Sequence, residues 1–162
     1  MSYSLNAPVP ESVRALAARL REDLPAGVRP RERPTLVVKR VGDGDHRALA
    51  DRTRAVLGDA SPCPARIAGL GTFAAATGPV TYLAVESPGL RALHDRLCTS
   101  FDPVPDIEGE DYVPHVTLGR GGDPDAVRAF CERGVDPVEW TVSSLHLWSA
   151  RYREPVTAIP VG

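Results

Sequence analysis

The sequence is poor in cysteine and has no long hydrophobic run, and each shortage excludes a class of protein. Its three cysteines are far apart, with no CxxC pair and no Cys/His metal spacing. This pattern argues against a disulfide framework and against the common zinc sites. No stretch approaches the ~20 consecutive apolar residues that a membrane-spanning helix needs. The first six residues hold neither a basic region nor an apolar run, so we expect no signal peptide and a cytoplasmic location.

Lysine is also scarce, and the basic charge is carried almost wholly by arginine. Lys39 is the one lysine among 19 basic residues, and the net charge is −2. No overall positive field therefore attracts nucleic acid, and any contact with RNA must come from a local site. Arginine suits bidentate phosphate contacts. A GC-rich genome explains the same bias, and we favour that explanation of the composition alone.

The hydrophobic pattern predicts two similar halves, each with the order strand, helix, strand, helix, strand. In the first half we expect strands over 3–9, 35–41 and 65–74, helices over 10–24 and 46–57, and a loop over 25–33. In the second half we expect strands over 80–86, 113–119, 140–150 and 156–161, helices over 87–101 and 124–132, and an acidic loop over 102–111.

Two short matches indicate that the halves arose by duplication. The pattern RALxxRL over 14–20 recurs over 91–97, and the turn GDxD over 42–45 recurs over 122–125. Each match is weak alone, since RALxxRL is common in helices. Their equal order and near-equal offset favour duplication over coincidence.

The segment before the second GDxD turn carries the sharpest chemical feature, His115 and Thr117 two positions apart. Side chains at i and i+2 of a strand share a face, so we expect both to project together while Val116 and Leu118 pack behind them. A histidine exchanges protons near neutral pH, and a threonine hydroxyl can donate to a phosphoryl oxygen. The pair suits one end of an in-line displacement at phosphorus. A half-buried strand with an incidental histidine explains the motif alone equally well.

Pro114 followed by His-Val-Thr-Leu resembles the second signature of the two-histidine (2H) phosphoesterases, which include proteins called 2′-5′ RNA ligases and RNA cyclic phosphodiesterases. The duplicated layout extends this resemblance over nearly the whole chain. The resemblance implies an α+β fold of two pseudo-symmetric lobes, with antiparallel sheets around a central cleft and helices outside. We therefore expect a single two-lobed domain over 1–162, with lobe 1 over about 1–77, lobe 2 over about 78–162 and strands exchanged between them if necessary.

The resemblance also implies a mechanism and a substrate. One histidine acts as general base toward water and the other as general acid toward the leaving oxygen, while two hydroxyls hold the phosphoryl oxygens. The implied substrate is a 2′,3′-cyclic phosphate or related phosphodiester at an RNA end or in a small nucleotide. No metal or other cofactor is required. We expect a monomer that binds no membrane.

The first half departs from this pattern because it lacks the histidine. An ungapped alignment through the GDxD turns places Thr35 on His115 and Val37 on Thr117. Shifting the alignment by one residue places Pro34 on His115, and shifting it by two residues places Arg33 on His115. Without a substitute group, we expect the reaction rate to fall by the ~10²–10⁴-fold that a general acid or base typically supplies. A non-catalytic binder of nucleotides or RNA termini on the same scaffold is the alternative, and a module for protein contacts is a third.

The remaining candidates are divided between the site and the scaffold. His115 and Thr117 are the predicted catalytic residues, and the predicted substrate-binding residues are Thr35, Lys39, Arg40, Arg120 and Tyr152. We expect the other histidines to be structural: His46 on the surface, His94 at the edge of the core and His146 facing solvent rather than the cleft. We expect the acidic loop to be solvated rather than a cation site.

Overall fold

The computed structural model describes residues 2–162, which form nine strands and four α-helices. The strands are β1 (Ser2–Ala7), β2 (Val28–Pro30), β3 (Leu36–Asp43), β4 (Cys63–Ala75), β5 (Gly78–Glu86), β6 (His115–Gly121), β7 (Glu139–Val142), β8 (Ser144–Ser149) and β9 (Glu154–Pro160). The helices are α1 (Glu11–Glu22), α2 (His46–Leu57), α3 (Pro88–Leu97) and α4 (Pro124–Phe130). The predicted α+β class with antiparallel strands and helices outside is confirmed.

All nine strands join one curled antiparallel sheet in the order β7-β4-β5-β6-β3-β1-β8-β9, with β2 also paired to β6. Within the described residues, β3 and β6 meet at the single pair Leu36 and Val116. This narrow junction divides the sheet into two parts. We call them the β3 half-sheet (β3, β1, β8, β9) and the β6 half-sheet (β6, β5, β4, β7 and β2).

Each half-sheet contains strands from both halves of the sequence. β4 precedes residue 78 yet pairs with β5 and β7, while β8 from the later half pairs with β1. The helices also pack across the two halves of the sequence. Helix α1 from the first half packs against β6, and α3 from the second half packs against β3 and β4. The cleft between the half-sheets is therefore built from side chains that are distant in sequence.

The helix starts show which repeated motifs are structurally equivalent. The RALxxRL pattern begins at the fourth residue of both α1 and α3, at Arg14 and Arg91. Asp45 caps α2 by accepting from the Ala48 amide, and Asp123 caps α4 by accepting from the Ala126 amide. Asp45 is the fourth residue of its GDxD turn, however, whereas Asp123 is the second. The two turns match in sequence but sit differently on their helices.

Three features of the fold differ from the sequence-based expectations. The single strand expected over 140–150 is divided at Ser143, because β7 pairs with β4 and β8 pairs with β1 in the other half-sheet. The loop expected over 25–33 contains the short strand β2. The helix expected over 87–101 ends as α3 at Leu97. Across residues 2–162, none of the helices combines the length and apolarity needed to cross a membrane.

Candidate functional site

His115 and Thr117 project from β6 on the face opposite the core. They pair with Ala84 and Tyr82 of β5, so these four side chains share a face. Val116 and Leu118 are fully buried on the other side. The hydrophobic residues of the motif thus anchor the strand, while His115 and Thr117 lie on the other face of the sheet, where Thr117 is 7% exposed.

The His115 ring is held in one orientation by its neighbours. Its Nδ1 lies 2.6 Å from the carbonyl oxygen of Val113, so in the neutral imidazole we assign the proton to Nδ1. The rings of Tyr82 and Phe73 stand edge-on to it, with centroids at 5.2 and 5.7 Å. Nε2 is consequently left to accept or donate a proton in the cleft.

The surroundings of His115 favour the neutral imidazole. Burial lowers its pKa below 6.5, the hydrogen bond to Val113 raises it, and the positive charges of Arg40, Arg120 and Arg31 lower it again. The net direction is downward. Near neutral pH the ring is unprotonated, which is the form that a general base requires.

The register around the junction identifies the first-lobe counterparts of the motif. The pair that joins the half-sheets, Leu36 and Val116, is separated by 80 positions. The β3 ladder skips Val38 and Val41, and the β6 ladder skips Leu118. Val38 and Leu118 are again 80 positions apart. The ungapped alignment is therefore the structural one.

In that register Thr35 is the first-lobe counterpart of His115, and Val37 is the counterpart of Thr117. Both first-lobe residues line the cleft. A hydroxyl thus stands where the second imidazole is expected, and an isopropyl group stands where the second hydroxyl is expected. The β3 side can bind a ligand through Thr35, but it offers no proton-transfer group at these two positions.

Lys39 does not reach the cleft, which corrects its assignment as a substrate-binding residue. Because the ladder skips Val38, Lys39 pairs with Leu5 on the buried face and is fully buried. Its Nζ donates to Glu108 Oε1 at 2.6 Å, to the Arg40 carbonyl at 2.7 Å and to the Asp102 carbonyl at 3.1 Å. These three acceptors use all of its donors.

Glu108 is buried as the partner of Lys39, which corrects the expectation of a wholly solvated acidic loop. It also accepts from the backbone amides of Arg40 and Val104. Burial raises the pKa of this carboxyl, but these hydrogen bonds and the charge of Lys39 outweigh it, and the net pKa is lowered. No group of three or more His, Cys, Asp or Glu side chains suited to a metal occurs within residues 2–162.

The loop before β6 is further fixed by His94 and Tyr112. His94 is fully buried, with Nδ1 2.7 Å from the Val38 carbonyl, and its Nε2 accepts from the Gly109 amide at 2.9 Å. The Tyr112 ring stacks on it at 3.9 Å, and the Tyr112 hydroxyl donates to the Val37 carbonyl at 2.8 Å. His94 therefore ties the loop to β3 and has no free nitrogen for catalysis.

A groove runs along the cleft beside this motif. One cavity of about 690 Å³ is lined by side chains that include Asn6, Thr35, Trp148 and Arg120. A second of about 320 Å³ shares Asn6, Thr35 and Trp148 and adds His146. His146 thus faces the groove, contrary to the expectation that it faces solvent. The shared residues show that the two cavities adjoin each other.

Five arginines line the larger cavity, Arg29, Arg31, Arg33, Arg120 and Arg153, and among them Arg120 and Arg153 act on the pKa of Arg31. Arg31 follows β2, Arg120 lies in β6 and Arg153 lies in the turn before β9. Arg31 Nη2 donates to Thr35 Oγ1 at 3.4 Å. Burial lowers the pKa of Arg31, and the nearby charges of Arg120 and Arg153 lower it further. We call Arg31, Arg120 and Arg153 the arginine cluster.

Sequence reasoning selected only part of this cluster. Arg120 was expected because it follows the motif directly, whereas Arg31 and Arg153 lie in loops that only the sheet brings together. Arg40 projects from β3 opposite Ser4, with Nη1 3.7 Å from Glu108 Oε2, and acts on the pKa of His115.

Tyr152 is 57% exposed at the tip of the β8–β9 turn and does not line the cavity. Its neighbour Arg153 does, so the structure does not support Tyr152 as a binding residue.

A family model matches most of the chain, and several solved structures share its fold. The family model described as the 2′-5′ RNA ligase superfamily matches residues 8–153. TT0787 of Thermus thermophilus superposes with a TM-score of 0.66 at 20% identity, covering 99% of this chain and 98% of that chain. E. coli LigT complexed with 3′-AMP gives 0.67 at 16% identity, covering 99% and 97%. Usb1 of Kluyveromyces marxianus gives 0.60 at 10% identity, covering 98% and 96%. No curated protein sequence gave a significant match.

Proposed function

The chain belongs to the 2′-5′ RNA ligase superfamily, and on this premise we propose that it is a 2H-like phosphoesterase. Its substrates are 2′,3′-cyclic phosphates or 2′-5′ linkages at RNA ends or in small nucleotides, and its activity is weakened by the missing first-lobe histidine. One observation carries the proposal. The imidazole of His115 is fixed through Nδ1, which leaves Nε2 for proton transfer, and three arginines lie close enough to act on its pKa.

His115 is the general base in this mechanism. Its neutral Nε2 accepts a proton from the water that attacks phosphorus, and the new P–O bond forms as the bond to the ribose 2′ or 3′ oxygen breaks. The leaving oxygen lies on the opposite side of phosphorus, so it takes its proton from solvent, and the imidazolium releases its own proton to solvent. His115 therefore acts as the base alone, because an arginine cannot accept a proton near neutral pH.

The cations and hydroxyls around His115 stabilise the phosphoryl group. Arg31, Arg40 and Arg120 are close enough to influence the imidazole, and their charges offset those that develop on the phosphoryl oxygens. Thr117 lies on the same face as His115 and supplies a hydroxyl to the same group. E. coli LigT has been solved with 3′-AMP, with NADP+ and with ATP, which supports a nucleotide as the ligand of this cleft.

A non-catalytic binder of nucleotides or RNA termini is the second candidate. The observation that favours it is the β3 side of the cleft, where the two expected catalytic positions are held by Thr35 and Val37. Phosphate binding needs only the arginines and hydroxyls, which remain. Turnover needs a proton path, which here depends on His115 alone.

The deciding experiment follows hydrolysis of adenosine 2′,3′-cyclic phosphate by chromatography of the products. We expect slow turnover by the native protein and a loss of at least ~10²-fold in His115→Ala. His46→Ala is the matched control, because His46 begins α2 away from the cleft, and it should be unaffected. Binding of the cyclic nucleotide without turnover would favour the binder. Equal turnover by the native protein and His115→Ala would refute the phosphoesterase mechanism.

A further inference from the structure

The arginine cluster extends the cleft beyond the reach of His115. The residues that line the larger cavity include Arg31, Arg120 and Arg153 but neither His115 nor Thr117. Arg31 and Arg120 influence the pKa of His115, and Arg153 influences the pKa of Arg31. Arg153 comes from the β8–β9 turn of the β3 half-sheet, whereas His115 lies in β6 of the other half-sheet.

The cluster lacks the counter-charges that normally accompany three neighbouring guanidinium groups. Within residues 2–162, none of the three lies within 4.0 Å of a carboxylate oxygen, and Glu32 is the only acidic side chain that lines the cavity. Like charges held close together are mutually destabilising unless an anion binds between them. The cavity of about 690 Å³ is large enough for a nucleotide.

The orientation of the cluster is supported from the β3 side. Thr35 Oγ1 accepts from Arg31 Nη2, which holds that guanidinium in the cavity. The Arg153 carbonyl accepts from Arg33 Nη1 at 3.3 Å, which ties the β8–β9 turn to the loop after β2. Trp148 lines the same cavity and offers an aromatic surface for a base.

We propose that the arginine cluster is a second phosphate subsite, so that the preferred substrate carries a phosphate in addition to the one that His115 attacks. This inference rests on the proposed function. The second phosphate is either a terminal 5′-phosphate or the internucleotide phosphate of a short RNA, and the chemistry that recognises both is the same. A mononucleoside cyclic phosphate fills only the His115 end of the cleft.

The test compares three substrates that share the same adenosine 2′,3′-cyclic phosphate end. The first has no further phosphate, the second has a 5′-phosphate and the third is a dinucleotide with one internucleotide phosphate. We expect kcat/KM to be roughly tenfold or more higher for at least one of the phosphate-bearing substrates, and the better of the two identifies the source of the phosphate.

Arg153→Gln tests the subsite directly, and Arg151→Gln is its matched control. Both residues are exposed in the same turn, but the Arg151 guanidinium lies 5.4 Å from the centre of the Tyr152 ring and does not line the cavity. Arg153→Gln should reduce the preference for the phosphate-bearing substrate roughly tenfold. It should also make the slope of log affinity against log salt shallower by about 0.7 for that substrate. Arg151→Gln should change neither.

Failure of the subsite and failure of the proposed function give different results. Equal kcat/KM for all three substrates, or equal effects of the two arginine variants, would overturn the subsite while leaving the phosphoesterase intact. If no substrate is turned over, binding of adenosine 5′-monophosphate and of adenosine is measured by calorimetry instead. Tighter binding of the monophosphate that is lost in Arg153→Gln supports the subsite, and equal binding overturns it.

Discussion

Leu36 and Val116 form the backbone pair that joins the two half-sheets, and the positions beside them are chemically unequal. On the β6 side the pair is flanked by a histidine and a threonine. On the β3 side it is flanked by a threonine and a valine. The scaffold is thus duplicated, whereas the histidine is confined to one strand.

Thr35→His should restore part of the missing chemistry. The new imidazole would stand in the position equivalent to His115 and supply a second proton-transfer group, so we expect the rate of cyclic phosphate hydrolysis to rise by up to ~10²-fold. Thr35→Gln is the control, since it adds a side chain of similar size without a titrating group. Equal rates in the two variants would show that Thr35 is not the counterpart of His115.

Lys39 shows why strand alternation identified the cleft only in part. Strict alternation places Thr35, Val37 and Lys39 on one face, and the skipped residue Val38 instead turns Lys39 into the core and Arg40 toward the cleft. A bulge of this kind has no distinct sequence signal here. The β6 motif was easier to predict because the bulge at Leu118 follows the two functional positions.

The pH dependence of turnover should report the lowered pKa of His115. The base is active when neutral, so kcat/KM should be constant above the folded pKa and fall about tenfold per pH unit below it. Because that pKa is lowered, the midpoint should lie below pH 6.5. Arg40→Gln should move the midpoint upward, since it removes a positive charge that disfavours the imidazolium. A midpoint above 6.5 in the native protein would contradict the structure.

The same shift makes a stability prediction of defined sign. A histidine with a lowered folded pKa binds protons more readily when unfolded, so its contribution to stability is present above pH 6.5 and is lost as pH falls through that range. Urea unfolding of the native protein and of His115→Ala between about pH 7.5 and 5 should show a smaller decrease for the variant. Parallel curves would contradict the assignment.

The Lys39–Glu108 pair should be essential to stability rather than to binding. Lys39→Met keeps the apolar volume but removes the ammonium from a buried carboxylate, and loss of one partner of a buried pair costs about 3–5 kcal/mol of unfolding free energy. Arg54→Met is the control, because its partner Asp51 is exposed and the expected loss is under ~0.5 kcal/mol. Urea unfolding measures both. A Lys39→Met protein of native stability would show that Lys39 and Glu108 do not form this ion pair in solution.

Gly71 should control the position of the His115 imidazole through Tyr82. A Cβ added at Gly71 would lie 2.6 Å from Tyr82 Cζ and 2.7 Å from its hydroxyl oxygen, so Gly71→Ala must displace the Tyr82 ring that borders His115. The backbone is not obstructed, so the loss of stability should be small. With less cover the imidazole becomes more exposed, and its pKa should rise toward 6.5, because burial is the main cause of the lowering.

The displacement should also reduce turnover by roughly 10- to 100-fold, since small errors in the position of a catalytic group are costly. Gly134→Ala is the matched control, because no atom lies within 4 Å of a Cβ at Gly134 and its φ is not positive. NMR titration of His115 and kinetic assays of both variants provide the measurements. If Gly71→Ala retains the native pKa of His115 and the native rate, Tyr82 does not position the imidazole. If only Gly71→Ala shifts both, the ring beside His115 is part of what makes a single histidine usable as a base.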